Sequence, residues 1–183
     1  VTTGVQNTIL GGLAGDALTD ADANVALGYA ALSSDTLGSK SVAIGTGALF
    51  AQNFTTATNA YNVAVGDSAG NAITTSQSNT LVGGLSGDVI TTGSENTTLG
   101  YKTLSANTTG FYNVAIGSRA LANMNVTDSS GTLNTAVGYN AGNDVTSGTN
   151  NTLIGAQAGD ALTDADFNTA VGVNALTADT LGS

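Results

Sequence analysis

Hydrophobic and polar positions alternate in a short phrase that recurs ten times along the chain. The phrase is Asn-[Thr/Val]-x-[Leu/Ile/Val]-Gly-x-x-small-[Gly/Leu]. Stretches within it, such as Val42–Ile44 and Val114–Ile116, alternate with period two and are rich in β-branched residues, which is typical of β-strands. The sequence therefore predicts one short strand in each phrase.

The phrases follow one another at fixed spacings. Their first residues are Asn7, Asn24, Ser41, Asn62, Asn79, Asn96, Asn113, Asn134, Asn151 and Asn168. The spacing is 17 residues throughout, except for two spacings of 21 residues that precede Asn62 and Asn134. Four consecutive units therefore form one superrepeat. The superrepeats span residues 7–78, 79–150 and, in part, 151–183. We expect residues 1–183 to form a single repetitive segment cut from a longer fibrous chain.

A 17-residue unit is too short for a helical repeat or a propeller blade, which need more than about thirty and about forty residues. A second short strand is expected because an aliphatic residue recurs at the ninth or the twelfth position of every unit. These residues are Leu32, Leu49, Leu104, Leu121 and Leu176 at the ninth position, and Leu18, Ile73, Ile90, Val145 and Leu162 at the twelfth. The sequence predicts an all-β fold, a parallel β-solenoid of ten coils about 48 Å long.

Two columns of identical residues are expected to run along this solenoid. Position 5, at the end of the strand, is always glycine, which suits positive φ or close backbone contact: Gly11, Gly28, Gly45, Gly66, Gly83, Gly100, Gly117, Gly138, Gly155 and Gly172. Position 1 is asparagine in nine coils of ten: Asn7, Asn24, Asn62, Asn79, Asn96, Asn113, Asn134, Asn151 and Asn168. The asparagines either form an amide ladder between coils or simply suit the turn before the strand.

The two faces of the strand differ in side-chain size. We expect the aliphatic residues of position 4, such as Leu27 and Ile44, to fill the coil, together with the threonines of position 2. The small residues of position 3, such as Ala26, Ala43 and Ala64, would then form a smooth outward stripe. A thin solenoid with such a stripe favours self-association, and three chains around one axis form an economical closed arrangement.

Composition excludes several classes of chemistry. The chain has no His, Cys, Pro or Trp, so it can form neither a Ser-His-Asp triad nor a disulfide, and it lacks the usual zinc ligands. The net charge is −10, and the only basic residues are Lys40, Lys102 and Arg119, which disfavours nucleic acid. No apolar run approaches the roughly 18 residues of a membrane span. An extracellular location suits a chain without cysteine.

The residues of positions 1 to 5 resemble a known family. Ser41-Val42-Ala43-Ile44-Gly45 and Asn113-Val114-Ala115-Ile116-Gly117 are similar to the head repeats of YadA-type trimeric autotransporter adhesins. The longer phrase that begins Asn134-Thr135-Ala136-Val137-Gly138 resembles repeats of phage tail fibres even more closely. The resemblance implies a left-handed parallel β-roll assembled as a homotrimer on a virion or a bacterial cell surface.

Candidate recognition residues lie in the two 21-residue coils and just after the glycines. The longer coils are expected to protrude, and they place Phe54, Tyr61, Asn125 and Asp128 at the surface, unless their extra residues are merely tolerated insertions. Tyr29, Tyr101 and Tyr139 at position 6 either stack on a sugar ring or pack over the turn or against a neighbouring subunit. The expected partner is a glycan or protein of a host cell surface.

An acidic cluster occurs in two copies, Asp16, Asp20 and Asp22, and then Asp160, Asp164 and Asp166. These carboxylates are weak calcium candidates, because the spacing lacks the rest of an EF-hand loop, and a solvated acidic turn is the alternative. A glycosidase pair would need a groove that so short a coil has little room for. We therefore expect no enzymatic activity and no required cofactor.

Two classes of function follow from the pattern. The first is a rigid fibre segment that spaces or presents host-surface binding, in a phage tail fibre or alternatively in a bacterial adhesin. The second is a monomeric ice- or crystal-binding solenoid with a flat threonine array, to which Thr8, Thr80 and Thr97 at position 2 would belong. An inward orientation of these threonines would disfavour the second class.

Overall fold

The structure is a computed structural model that describes residues 1–127 and 131–180. Within these ranges it contains twelve short strands and no helix. The strands are β1 (Thr8–Leu10), β2 (Val25–Leu27), β3 (Gly38–Ser39), β4 (Val42–Ile44), β5 (Thr58–Asn59), β6 (Val63–Val65), β7 (Thr80–Val82), β8 (Thr97–Leu99), β9 (Val114–Ile116), β10 (Thr135–Val137), β11 (Thr152–Ile154) and β12 (Thr169–Val171).

Ten of these strands stack into one parallel sheet in the order β1-β2-β4-β6-β7-β8-β9-β10-β11-β12. Equivalent positions pair throughout, as in Val63 with Thr80 and Ala64 with Leu81. Nine turns of the chain connect the ten strands, and the expected parallel β-solenoid is confirmed. In the first 21-residue coil, β5 pairs with β3 of the preceding coil.

The strand of most coils turns a small side chain inwards. The position 3 residues Ala26, Ala43, Ala64, Ala115 and Ala136 are fully buried, whereas the aliphatic residues of position 4 lie on the other face of the sheet. The expectation that position 4 fills the coil was therefore wrong. Position 3 also accepts larger inward side chains, since Leu81 and Leu153 are fully buried there, in coils that also bury Ile90 and Leu162 at position 12.

Those larger side chains come from the ninth or the twelfth position of each coil. Leu32, Leu49, Leu104 and Leu121 enter from position 9, and Leu18, Ile73, Ile90, Val145 and Leu162 enter from position 12; all are at most 1% exposed. Burial of each contributes about 1.5–3 kcal/mol. Where position 9 supplies the leucine, position 12 carries a different buried side chain, as in Asp35, Gln52, Asn107 and Met124.

The second strand expected around positions 9 to 12 does not form, and only the two-residue strands β3 and β5 occur outside the main sheet in the part of the chain that the structure describes. Instead, position 8 donates its N–H to the carbonyl of position 5, as in Ala31 to Gly28 at 3.4 Å and Ala69 to Gly66 at 3.3 Å. The third residue of this turn, position 7, has positive φ, which is the geometry of a type II turn. Position 9 also has positive φ, so the chain cannot stay extended after the glycine.

Left-handed residues that are not glycine recur because the turns require them. Ala30 has φ +53° at position 7, where the next coil has Gly47 at φ +62°. A Cβ in this region costs about 1–2 kcal/mol per residue. Ala30→Gly is therefore expected to raise the free energy of unfolding by about 1 kcal/mol.

Equilibrium denaturation of the Ala30→Gly variant measures this gain. Ala26→Gly is the matched control, since it makes the same chemical change at a buried strand position without positive φ. The free energy of unfolding of this control should fall by about 1 kcal/mol. Equal losses in the two variants would show that the left-handed turn is not strained.

Candidate interaction surfaces

The outer face of the ten-stranded sheet, which we call the sheet face, carries an unbroken aliphatic column beside a mixed column of valine and threonine. It consists of positions 2 and 4 of every coil. Position 4 supplies Leu10, Leu27, Ile44, Val65, Val82, Leu99, Ile116, Val137, Ile154 and Val171, none of which is buried. Leu99, near the middle of the stack, is 50% exposed. The smooth outward alanine stripe predicted from the sequence is thus replaced by a larger aliphatic one.

Position 2 of the sheet face carries either valine or threonine. Its threonines are Thr8, Thr80, Thr97, Thr135, Thr152 and Thr169, and none of them is buried. The expected inward orientation of these side chains was wrong. Since residues two apart along a strand share a face, positions 2 and 4 turn outwards together once alanine turns inwards at position 3.

Aromatic side chains border the sheet face on both sides. At position 6, just after the strand, Tyr29, Tyr101 and Tyr139 are 59%, 50% and 55% exposed. Two of these rings lie beside position 6 of the preceding coil: an added Cβ would be 3.5 Å from the ring of Tyr29 at Gly12, and 3.7 Å from that of Tyr101 at Gly84. The tyrosines thus lean along the stack and keep about half of their surface accessible.

On the other border, the residue that precedes position 1 is left-handed in every coil and often apolar. Tyr61, Tyr112, Leu133 and Phe167 are among these residues, and each is about half exposed or more. Tyr61 also lies next to Lys40, whose Nζ is 5.3 Å from the ring centroid. Half of the residues at this border position are polar, so the border adds separate apolar side chains rather than a continuous apolar strip.

The asparagine column forms hydrogen bonds both between coils and within them. The Oδ1 of Asn24 accepts the backbone N–H of Ser41 at 2.8 Å, and its Nδ2 donates to the Gly38 carbonyl of its own coil at 2.9 Å. The same pair of bonds recurs at Asn79 and at Asn151. Direct amide-to-amide bonds also occur, for example from Asn113 to Asn96 at 2.9 Å. The column links each strand start to the next.

The loops of the 21-residue coils present fewer side chains than expected. Phe54 is 5% exposed and packs against the neighbouring coil, so its assignment to surface recognition was wrong. Its N–H donates to the Asp35 Oδ1 at 3.0 Å, which draws the residue inwards. Tyr61 and Asn125 are exposed, and Asp128 lies outside the described residues.

The acidic residues act as hydrogen-bond acceptors between coils. The Oδ1 of Asp22 accepts the N–H of Val5 at 2.8 Å, and that of Asp20 accepts the Thr3 hydroxyl at 2.7 Å. In the second copy, the Oδ1 of Asp166 accepts both the N–H and the hydroxyl of Thr149. Among the residues that the structure describes, no three His, Cys, Asp or Glu side chains come together as a metal site.

Comparison with known proteins identifies no relative, so the function of the chain is argued from the surfaces described above. The chain matches no protein-family model, and no curated protein or solved structure is significantly similar to it. Within residues 1–127 and 131–180, no helix has the length and apolar character that crossing a membrane requires.

Proposed function

We propose that the chain is a segment of a rigid, extended fibre that self-associates through the sheet face and presents surface loops to a host cell. The observation that carries this proposal is the run of aliphatic side chains along ten coils, half exposed at Leu99. Exposed apolar patches of this continuity mark interaction surfaces. The role is structural rather than catalytic.

A homotrimer is the assembly that we favour. The sheet face runs the length of the stack, so three copies can turn it towards a common axis and leave the turns outside. The resemblance of the strand phrases to YadA-type head repeats supports the same arrangement. A phage tail fibre is the favoured owner, and a bacterial surface adhesin is the alternative.

Sedimentation equilibrium at several concentrations tests the trimer. We expect a mass three times the 17.8 kDa of the single chain. Leu99→Asp is expected to reduce the mass to that of one chain, because three carboxylates would meet near the axis without counter-charges. The circular dichroism of the strands should not change.

Thr92→Asp is the control for this substitution, since Thr92 is exposed in a turn away from the sheet face. It adds the same charge and should leave the trimer intact. A wild-type mass of one chain, or a Leu99→Asp variant that sediments like the wild type, would contradict assembly through the sheet face.

The outward threonines of position 2 favour a second candidate function, the binding of ice or another crystal lattice. They lie on a parallel sheet at the coil spacing of about 4.8 Å. Position 4 carries only aliphatic residues, however, which suits self-association better than a lattice of hydroxyl groups. A monomer that shows thermal hysteresis would support this second function over the fibre.

A further inference from the structure

Two of the three basic residues of this acidic chain line one depression, formed by turns rather than by the sheet face. Lys102 and Arg119 both occupy position 7, in consecutive coils, where the Arg119 N–H donates to the Tyr101 carbonyl at 2.9 Å. The other lining residues are Ser105, Ala122, Asn123 and Asn143, and the volume is about 240 Å³. We call this site the Lys102–Arg119 depression.

Neither cation of the depression is neutralised by an ion pair with the described residues. The Nζ of Lys102 lies 5.6 Å from the centroid of the Tyr101 ring. Burial raises the pKa of the Asp88 carboxyl, whereas a backbone hydrogen bond and the charge of Lys102 lower it. Asp144 accepts the amides of Asn123 and Asn143 at 3.2 and 2.7 Å.

The fold itself does not require charge at these positions. The counterparts of Lys102 in the preceding and following superrepeats are Ala30 and Asn174, and the counterpart of Arg119 is Gly47. The same turn is thus built elsewhere from neutral residues with similar φ. Two cations in adjacent coils are therefore a local feature of the middle superrepeat, which points to a ligand.

The chemistry of the lining selects the class of ligand. A guanidinium and an ammonium favour a carboxylate or another oxyanion, and a hydroxyl and two amides suit the hydroxyl groups of a sugar. A protein partner would need a far larger contact, about 800 Å² on each side. The net charge of −10 disfavours a polyanion such as nucleic acid.

We propose that the Lys102–Arg119 depression binds the anionic group of an acidic saccharide, with the guanidinium and the ammonium on the anion. The amide oxygens of Asn123 and Asn143, whose nitrogens donate to Asp144, accept from neighbouring hydroxyl groups. The proposal goes beyond the fibre function. The site does not depend on trimer assembly, because all of its lining residues belong to one chain. A failure of trimer assembly would leave it unaffected.

A chemical-shift titration of the backbone amides with D-glucuronate tests the proposal, with D-glucose and inorganic phosphate as comparison probes. The full chain is compared with a Lys102→Gln, Arg119→Gln double variant. Glutamine is compatible with the turn, because Gln157 occupies the same position in another coil with φ +57°. The matched control is Lys40→Gln, which removes the third basic residue beside Tyr61 and away from the depression.

We expect glucuronate to shift the amides of the lining residues and to bind more tightly than glucose. The double variant should bind it at least about tenfold more weakly, whereas Lys40→Gln should bind it unchanged. Absence of binding, or equal weakening by Lys40→Gln, would overturn the site. Equal binding of phosphate and glucuronate would overturn the saccharide part of the assignment.

Discussion

Replacing Gly66 by alanine is expected to lower the free energy of unfolding by about 4 kcal/mol or more, because two independent costs coincide there. The added Cβ would lie 2.5 Å from the carbonyl oxygen and 2.6 Å from the carbonyl carbon of Gly83 in the next coil. Both atoms are backbone and cannot rotate away. In addition, φ at Gly66 is +139°, a conformation that residues with a Cβ rarely adopt.

Gly84→Ala provides the control for this prediction, since the two glycines lie in adjacent coils. At Gly84, an added Cβ would meet only the Tyr101 ring at 3.7 Å and the Asp67 carbonyl at 4.0 Å, which are ordinary contacts. We expect its stability to stay within about 0.5 kcal/mol of the wild type. Denaturant unfolding of both variants at one protein concentration makes the comparison, and similar losses would refute the role of the glycine column.

The glycine column shows what a repetitive sequence can predict about its own fold. Recurrence of glycine after every strand pointed to positive φ or close backbone contact, and at Gly66 and Gly83 both occur. The regular spacing of the phrases likewise predicted the parallel register of the ten strands. Such inferences succeed because stacking places identical residues in identical surroundings.

The orientation of the sheet was mispredicted because alternation defines two faces without saying which is inside. Side-chain size favoured the aliphatic residues of position 4 as the core, but the structure places position 4 on the outer face and position 3 inside. The inward side chains of position 3 range from alanine to leucine: Leu81 and Leu153 are fully buried in coils that also bury Ile90 and Leu162, so size alone did not distinguish the two faces.

The repeat pattern also could not predict that one side chain replaces the hydrogen bonds of another. Ser41 interrupts the asparagine column, and the buried amide of Gln52 takes the place of the missing one. Its Nε2 donates to the Ser41 Oγ at 3.0 Å and to the Asp35 Oδ2 at 2.6 Å, while its Oε1 accepts from Asn62 at 2.9 Å. Gln52 stands at position 12 of the coil that Ser41 begins, so sequence alone did not connect them.

The candidate sites were predictable only where exposure follows from the repeat. Tyr29 and Tyr139 are exposed because position 6 lies outside the coil in every unit. Phe54 was expected at the surface because it lies in a longer coil, but it is buried, and its backbone N–H donates to Asp35. Lys102 and Arg119 were overlooked as a pair, although both stand at position 7 of consecutive units and therefore lie in adjacent coils.

The asparagine column leads to the second large effect, expected for Asn79→Ala. The Oδ1 of Asn79 accepts the N–H of Asn96 at 3.0 Å, and its Nδ2 donates to the Gly93 carbonyl at 3.0 Å and to the Ser76 Oγ at 3.1 Å. Asn79 is fully buried, so water cannot replace the lost side chain without entering the coil. Buried groups that lose their partner cost about 1–3 kcal/mol each, and the total loss should be about 3 kcal/mol.

Asn59→Ala is the control for this loss, because Asn59 is an exposed asparagine of β5 outside the column. Its effect should stay within about 0.5 kcal/mol of the wild type. Hydrogen exchange locates the damage: in Asn79→Ala the amide of Asn96 should lose protection first, since its acceptor is gone. If that amide stayed protected and stability fell no further than in Asn59→Ala, the column would only mark the turn before each strand, and the coils would be held together by the strand ladder and the glycine contacts alone.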